Sequence, residues 1–236
     1  CLVYFIILTC RIHVILHSYE WDREELGRKS VQRKLESFLK MFAAVKGPQQ
    51  LFSHKILLQL FIAFLSNPDA RLANLAFACV SRFKLPYLVP YAEYIRPMLK
   101  KEGLREALTK FDLSIDSETV DSEHRLPLMP IITRILFGRL AARGNGAKSS
   151  KDSPAARRAA ILSFLSGVGN TSGELNYFLY MMVRTFIPRE ETIWNDMANQ
   201  NDRLKELIEL SGNITVDGLM SIPLKRQEGF LKLLSD

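Results

Sequence analysis

The stretch NPDARLA, residues 67–73, decides the fold class, because SPAARRA at residues 153–159 repeats its pattern. Each stretch starts with a residue that can cap a helix, Asn67 or Ser153. A proline follows at the first helical position, which tolerates a missing N–H. Alanines come next, and such small side chains let a helix lie close to its neighbours. The same kind of helix start therefore occurs twice in the chain.

The two stretches are offset by 86 residues, which is twice 43. HEAT and armadillo repeats are stacked helical units of about 40–47 residues, so two such units would separate the matching helices. Apolar residues recur at helical spacing along nearly the whole chain, and strand-like alternation is almost absent. The sequence predicts an all-α protein, an α-solenoid of HEAT/armadillo-like helix pairs.

Start and stop signals place the individual helices. Ser30 opens a helix that Gly47 and Pro48 end, and Asn67 with Pro68 starts another. Further helices are expected at residues 51–66, 91–101, 104–112, 126–143, 154–167 and 173–186, with an acidic polar segment at 112–124.

Composition indicates a globular chain with a basic balance. A length of 236 residues with 47% hydrophobic residues allows a substantial core. The net charge of +7 favours an acidic partner, of which RNA is the commonest. The cysteines Cys1, Cys10 and Cys79 are few and odd in number, which favours a reducing compartment over a disulfide framework.

The chain opens inside an apolar run rather than at a methionine, so we interpret residues 1–236 as a fragment of a longer HEAT-repeat solenoid. The run over residues 1–16 is interrupted by Arg11 and His13 and is shorter than the about 20 residues that span a bilayer. It also lacks the basic leader of a signal peptide. We expect no membrane contact and a helix that packs on a neighbouring repeat of the same protein.

Patterns that carry chemistry are weak. The loop RGNGAKSSKDSPAARR at residues 143–158 resembles a phosphate-binding loop, but its glycines have the wrong spacing and no strand precedes it. Cys10, His13 and His17 share one helix face without a second ligand cluster, which favours packing over zinc binding. No nucleophile, base and orienting group can be named. We expect no enzyme activity, no cofactor and no metal.

The remaining feature is a basic loop at residues 143–153, which Gly and Ser residues should keep mobile. It precedes a helix N-terminus, where free N–H groups also favour phosphate oxygens. Either RNA backbone contacts or a solvated loop that binds nothing would fit this composition. The candidate RNA or partner contacts are Arg134, Arg139, Arg143, Lys148, Lys151, Arg157 and Arg158.

Three blocks of sequence are distinctive: LPYLVPYAEYIRPML at 85–99 with KFDLSID at 110–116, HRLPLMPIITRILFGRL at 124–140, and ARRAAILSFLSG at 156–167. They resemble the DRIM ("down-regulated in metastasis") family, with the best match over residues 51–184. The middle block is the most specific. The stretch IPLKRQEGFLKLL at 222–234 is also similar to the family's continuation.

The resemblance implies a very large HEAT-repeat protein of the small-subunit processome in the nucleus, within the nucleolus. It implies a non-catalytic scaffold for pre-rRNA processing and small ribosomal subunit biogenesis. The expected partners are pre-ribosomal RNA, the small nucleolar RNA of the processome and other ribosome assembly factors. Two alternatives stay open: a HEAT adaptor or transport receptor that binds only protein segments, and a compact helical enzyme domain, which the missing catalytic set disfavours.

Overall fold

The computed structural model describes residues 28–100, 103–114, 117–142 and 153–168, and every regular element in these ranges is a helix. The predicted all-α fold is confirmed, while the helices expected over residues 1–16 and 173–186 lie outside these ranges. Short 3-10 helices lie at Pro48–Gln50, Val89–Tyr91 and Arg96–Leu99. The α-helices are α1 (Arg28–Ala44), α2 (His54–Phe64), α3 (Ala70–Arg82), α4 (Ala92–Ile95), α5 (Leu104–Lys110), α6 (Ser122–Ala141) and α7 (Pro154–Gly167).

The two helix starts that resemble each other in sequence differ in register. Ser153 caps α7 as predicted, since its Oγ accepts a hydrogen bond from the backbone N–H of Ala156 at 3.1 Å. The prediction that Asn67 caps α3 was wrong. Asp69 is the cap and accepts from the N–H of Arg71 at 2.8 Å, whereas Asn67 Oδ1 accepts from the N–H of Asp69 in a turn before the helix. A side chain that bonds two residues ahead in a turn delays the helix start.

Helices α1 and α3 lie side by side and run in the same direction. Side-chain bonds join them near the start, where Gln32 Nε2 donates to Asp69, and in the middle, where the Cys79 thiol donates to the Leu39 carbonyl at 3.2 Å. Near the end, Arg82 Nε donates to the Ala43 carbonyl at 2.7 Å. Because α2 connects the end of α1 to the start of α3, it runs in the opposite direction to both.

This arrangement is that of an α-solenoid, in which the first helix of one pair packs on the first helix of the next. The three bonded pairs are 37, 40 and 39 positions apart in sequence. A repeat of about 40 residues falls at the short end of the HEAT and armadillo range. The contacts thus give a repeat length slightly shorter than the 43 residues expected from the two similar stretches at residues 67–73 and 153–159.

Helices α6 and α7 form an antiparallel pair. At one end Arg125 Nη2 donates to the Val168 carbonyl at 2.7 Å, and at the other Arg157 Nη2 donates to the Ala142 carbonyl at 2.7 Å. Neighbouring elements cover α6 on nearly all sides, and polar as well as apolar side chains of it are buried. Its buried residues are Leu128, Met129, Ile131, Ile132, Thr133, Arg134, Ile135, Leu136, Gly138 and Arg139.

The C-terminal part of α6 meets the turn between α2 and α3 at Gly138. A Cβ atom at this position would lie 2.9 Å from the carbonyl carbon of Ser66 and 3.0 Å from the Asn67 oxygen, which are both backbone atoms. Arg139 extends over the same turn, where Nη2 donates to the Asn67 and Pro68 carbonyls at 3.1 and 3.4 Å. Glycine is therefore required for the close approach of these two parts of the chain.

A continuous apolar core extends from α1 to α7. An aromatic cluster joins α1, α2 and the C-cap of α3, with ring centroids 5.3 Å apart for Phe42 and Phe61 and 6.3 Å apart for Phe61 and Phe83. Such tilted pairs add packing energy beyond simple burial. Among the helices that the structure describes, none has the length and apolarity needed to cross a bilayer.

We expect Gly138→Ala to destabilise the chain by about 1–3 kcal/mol, because backbone atoms must move to admit the methyl group. Urea unfolding followed by circular dichroism measures the change. Gly167→Ala is the matched control: no atom lies within 4 Å of the added Cβ, so stability should hold or rise by about 0.4–1 kcal/mol. Equal losses in both variants would contradict the close approach.

Burial raises the pKa of the Cys79 thiol to about 12. A folded-state pKa above the unfolded value means that the neutral thiol stabilises the fold below about pH 8.5, and that this contribution falls by about 1.4 kcal/mol per pH unit as the pH rises toward 12. With Cys1 and Cys10 replaced by Ser, we expect iodoacetamide to leave folded Cys79 unmodified at pH 8 and to modify it rapidly in urea. Fast modification in the folded state would contradict this.

Candidate nucleic-acid interface

The basic edge expected from the sequence lies where α6 ends and α7 begins. Arg143, Lys148 and Lys151 fall in residues 143–152, outside the described ranges. Each therefore remains a predicted contact. The other four members of the predicted set, Arg134, Arg139, Arg157 and Arg158, have described positions.

Two of these four side chains are not at the surface. Only 4% of Arg134 and 2% of Arg139 is exposed. Arg134 Nη1 donates to the carbonyl of Pro130, and Arg139 bonds the turn before α3. This corrects their expected place on an RNA-contacting edge: α6 is enclosed by neighbouring elements, so these guanidinium groups satisfy backbone carbonyls inside the fold instead of phosphates outside it.

Arg157 and Arg158 in the first turn of α7 are partly exposed. Arg157 connects the helix pair through the Ala142 carbonyl. Burial, and then the neighbouring charge of Arg158, lower the pKa of Arg157. Burial, followed by the charge of Arg157, lowers the pKa of Arg139. The arginines thus form one crowded cationic cluster, whose outer members can face an anion.

Sequence reasoning missed a second basic area, at the C-terminal ends of α1 and α3. The exposed cations there are Lys46, Arg82 and Lys84. Besides the bond from Arg82 to Ala43, Gln49 Nε2 donates to the Phe83 carbonyl at 2.6 Å, so residues 43–49 and 82–84 lie against each other. A signal was present: between Glu36 and Glu93 the sequence has six lysines and arginines and one acid, Asp69.

The blocks that resemble the DRIM family pack against one another. The Tyr91 hydroxyl accepts from the backbone N–H of Asp121 at 3.0 Å and lies 3.1 Å from His124 Nδ1. The Tyr91 ring also meets Phe111 edge-on, with 6.2 Å between centroids. Arg125 then links the middle block to the end of the third. These residues fix how the helices fit together.

No group of three or more His, Cys, Asp or Glu side chains in the described part of the chain is placed to hold an ion. The set Cys10, His13 and His17 lies outside the described ranges. Exposed basic side chains on a helical framework are suited to binding the phosphates of a nucleic acid, and such contacts position a polymer without specifying its sequence.

Comparison with known families decides the relationship. The model of the family described as "U3 small nucleolar RNA-associated protein 20, N-terminal" matches residues 29–236. The chain belongs to this family. The match includes all the helices with described side chains, and it confirms the resemblance to the DRIM type of processome protein.

A curated relative agrees with this assignment. U3 small nucleolar RNA-associated protein 20 of Schizosaccharomyces pombe is 25% identical over 201 residues. The aligned part is 84% of this chain but 7% of the yeast protein. The chain therefore spans a small part of the length of the curated relative that it matches.

We expect the buried and the loop cations to differ in function. Arg139→Ala should lower the free energy of unfolding by about 2–4 kcal/mol, because two carbonyls lose a buried donor and a cavity forms. It should leave the salt dependence of RNA binding unchanged. Lys148→Glu with Lys151→Glu should keep stability within about 0.5 kcal/mol and make that salt dependence shallower. Filter binding over a salt series, beside urea unfolding, measures both. An unchanged salt slope in the loop variant would remove the loop from the interface.

Proposed function

We propose that this chain is a non-catalytic scaffold segment of the small-subunit processome, and that it supports pre-rRNA processing and small ribosomal subunit biogenesis in the nucleolus. The observation that carries the proposal is the family match over residues 29–236. The name of the fission yeast relative states an association with U3 small nucleolar RNA. The proposed location in the nucleus follows from that association.

The architecture supports a scaffold role. Stacked helix pairs expose long edges and faces, so a solenoid can bind an extended partner through many modest contacts. Exposed or partly exposed cations lie at the start of α7 and at the C-terminal ends of α1 and α3. They suit pre-ribosomal RNA or the small nucleolar RNA of the processome, because each phosphate that they neutralise releases counterions and so favours binding. Other ribosome assembly factors would bind the remaining surface. The cationic edge formed by Arg157, Arg158 and the loop cations Arg143, Lys148 and Lys151 is the proposed RNA contact.

A second candidate function is an adaptor that binds only protein segments. The observation that favours it is the exposure of Phe52 (64%), just before α2, and Ile56 (48%), in its first turn. Neighbouring exposed apolar side chains are typical of protein interaction surfaces. The two functions differ in how the protein is held in its particle. A scaffold that binds RNA should be retained partly through RNA, whereas an adaptor should be retained through protein contacts alone.

The proposal is tested by isolating the full-length protein from cells under an affinity tag. We expect it to cosediment with U3 small nucleolar RNA and unprocessed pre-rRNA. When the protein is depleted, we expect uncleaved pre-rRNA to accumulate in the cells. Mild ribonuclease treatment should release part of the bound protein. Normal pre-rRNA processing after depletion would contradict the processome role, and retention that ribonuclease leaves unaltered would favour the adaptor.

A further inference from the structure

We infer that the C-terminal ends of α1 and α3 form a second RNA-backbone site, made by Lys46, Lys84 and Arg82. The inference rests on the proposed processome function, because it names where that function would contact RNA. We call these three residues the paired-end surface. Two independent observations carry it: the charge distribution around the two helix ends and the backbone conformation of Lys84.

The charge distribution is one-sided. The chain between Glu36 and Glu93 has one acidic residue, Asp69, and this residue lies at the opposite end of α3. Glu36 is paired with Lys40 at 2.8 Å, two turns before the end of α1. Neither Lys46 nor Lys84 makes an ion pair with any residue of the described ranges. Both side chains are exposed, so their charges can act on a partner in solution.

Part of this positive charge has a structural explanation. Cations near a helix C-terminus offset the partial negative charge of its free carbonyls, and parallel packing puts two such ends side by side. Arg82 has this role directly, through its bond to the Ala43 carbonyl. Lys46 and Lys84 have no such bond among the described contacts. Their ammonium groups remain for an external anion.

The backbone of Lys84 is the second observation. Lys84 follows the C-cap residue Phe83 and has a φ of 49°. A left-handed residue after a helix is usually glycine, since a side chain is strained there. Gly47, three residues after α1 and at the start of the next 3-10 helix, has a φ of 67° and is the residue type expected in this conformation. Lys84 thus has a strained backbone at a position where glycine is usual, and its side chain carries a charge. Strained residues of this kind concentrate at functional sites.

The surface is rigid enough to present its charges at fixed positions. The aromatic cluster of Phe42, Phe61 and Phe83 lies beneath it, and the bonds from Gln49 and Arg82 fasten the two segments. An RNA backbone carries phosphates at regular intervals and can follow such an edge. An acidic protein segment is the competing partner. The exposed lysines, which make no ion pair within the described ranges, complement the regularly spaced charges of an RNA backbone, and the proposed processome function favours phosphate contacts over a protein interface.

The test uses the full-length protein with Lys46→Gln and Lys84→Gly. Lys100→Gln with Lys110→Gln is the matched control, since it removes two exposed lysines elsewhere. The probe is a single-stranded oligouridylate, and binding is measured over a salt series. For the paired-end variant we expect a plot of log Kobs against log salt that is shallower by about 1.4, the value for two lost phosphate contacts to a single strand. We expect no change for the control.

Lys84→Gly alone separates binding from folding. It removes backbone strain, so the Tm of the variant should stay level or rise while RNA affinity falls. A fall in both would indicate a structural role for Lys84 and overturn the inference. If the paired-end and control variants lose equal RNA affinity, the loss reflects net charge alone, and this outcome would also overturn the inference. Weakened binding to a polyglutamate peptide with unchanged RNA binding would assign the surface to an acidic protein partner.

Cosedimentation with U3 small nucleolar RNA distinguishes failure of the site from failure of the proposed function. If the unaltered protein cosediments but the paired-end variant has a normal salt slope, the paired-end surface is excluded and the processome role stands. If the unaltered protein does not cosediment, the processome role itself fails. Ultraviolet crosslinking inside the particle should place RNA on the peptides that contain residues 46 and 84.

Discussion

The close approach of α6 to the turn between α2 and α3 is the contact on which the rest of the structure depends. Gly138 admits the Ser66 backbone, and Arg139 donates hydrogen bonds to the Asn67 and Pro68 carbonyls of the turn. Burying an arginine is costly unless its N–H groups are bonded, and the exposed carbonyls of a tight turn provide that bonding. This junction, together with the bonds between Tyr91 and Asp121, connects the helices before residue 100 to the α6–α7 pair.

Electrostatics then divide the arginines and lysines into two groups. Arg125, Arg139 and Arg157 donate to backbone carbonyls at the ends of helices and turns, and so act as structural connectors. Arg139 is buried, while Arg125 and Arg157 are partly exposed. At the surface, Lys46 and Lys84 have no partner within the described contacts. A net charge of +7 does not distinguish these uses. Among the described residues, we propose that the second group, with the exposed part of the cluster near α7, contributes to binding a polyanion.

Much of the fold followed from the sequence, because helix starts are local. Ser153 and Pro154 began α7 as expected, but Asn67 was assigned a capping role that Asp69 has, since either side chain can bond an N–H two residues on. The site was less predictable. Helical periodicity identifies the exposed face of a helix only when one face is polar, and α6 has no such face. Arg134 and Arg139 were therefore expected at the surface, but both are buried. The proximity of Lys46 to Lys84 depends on the packing of α1 against α3, which is not encoded in either segment alone.

The three bonds that join α1 to α3 also have a mechanical consequence. They lie near the start, the middle and the end of both helices and connect side chains to a fixed carboxylate or carbonyl. Sliding one helix past the other by a single turn, about 5.4 Å, would break all three together. Along this stretch the solenoid should therefore resist shear as a stiff unit. Elastic bending of the whole molecule under load would then concentrate in segments that lack such cross-connections.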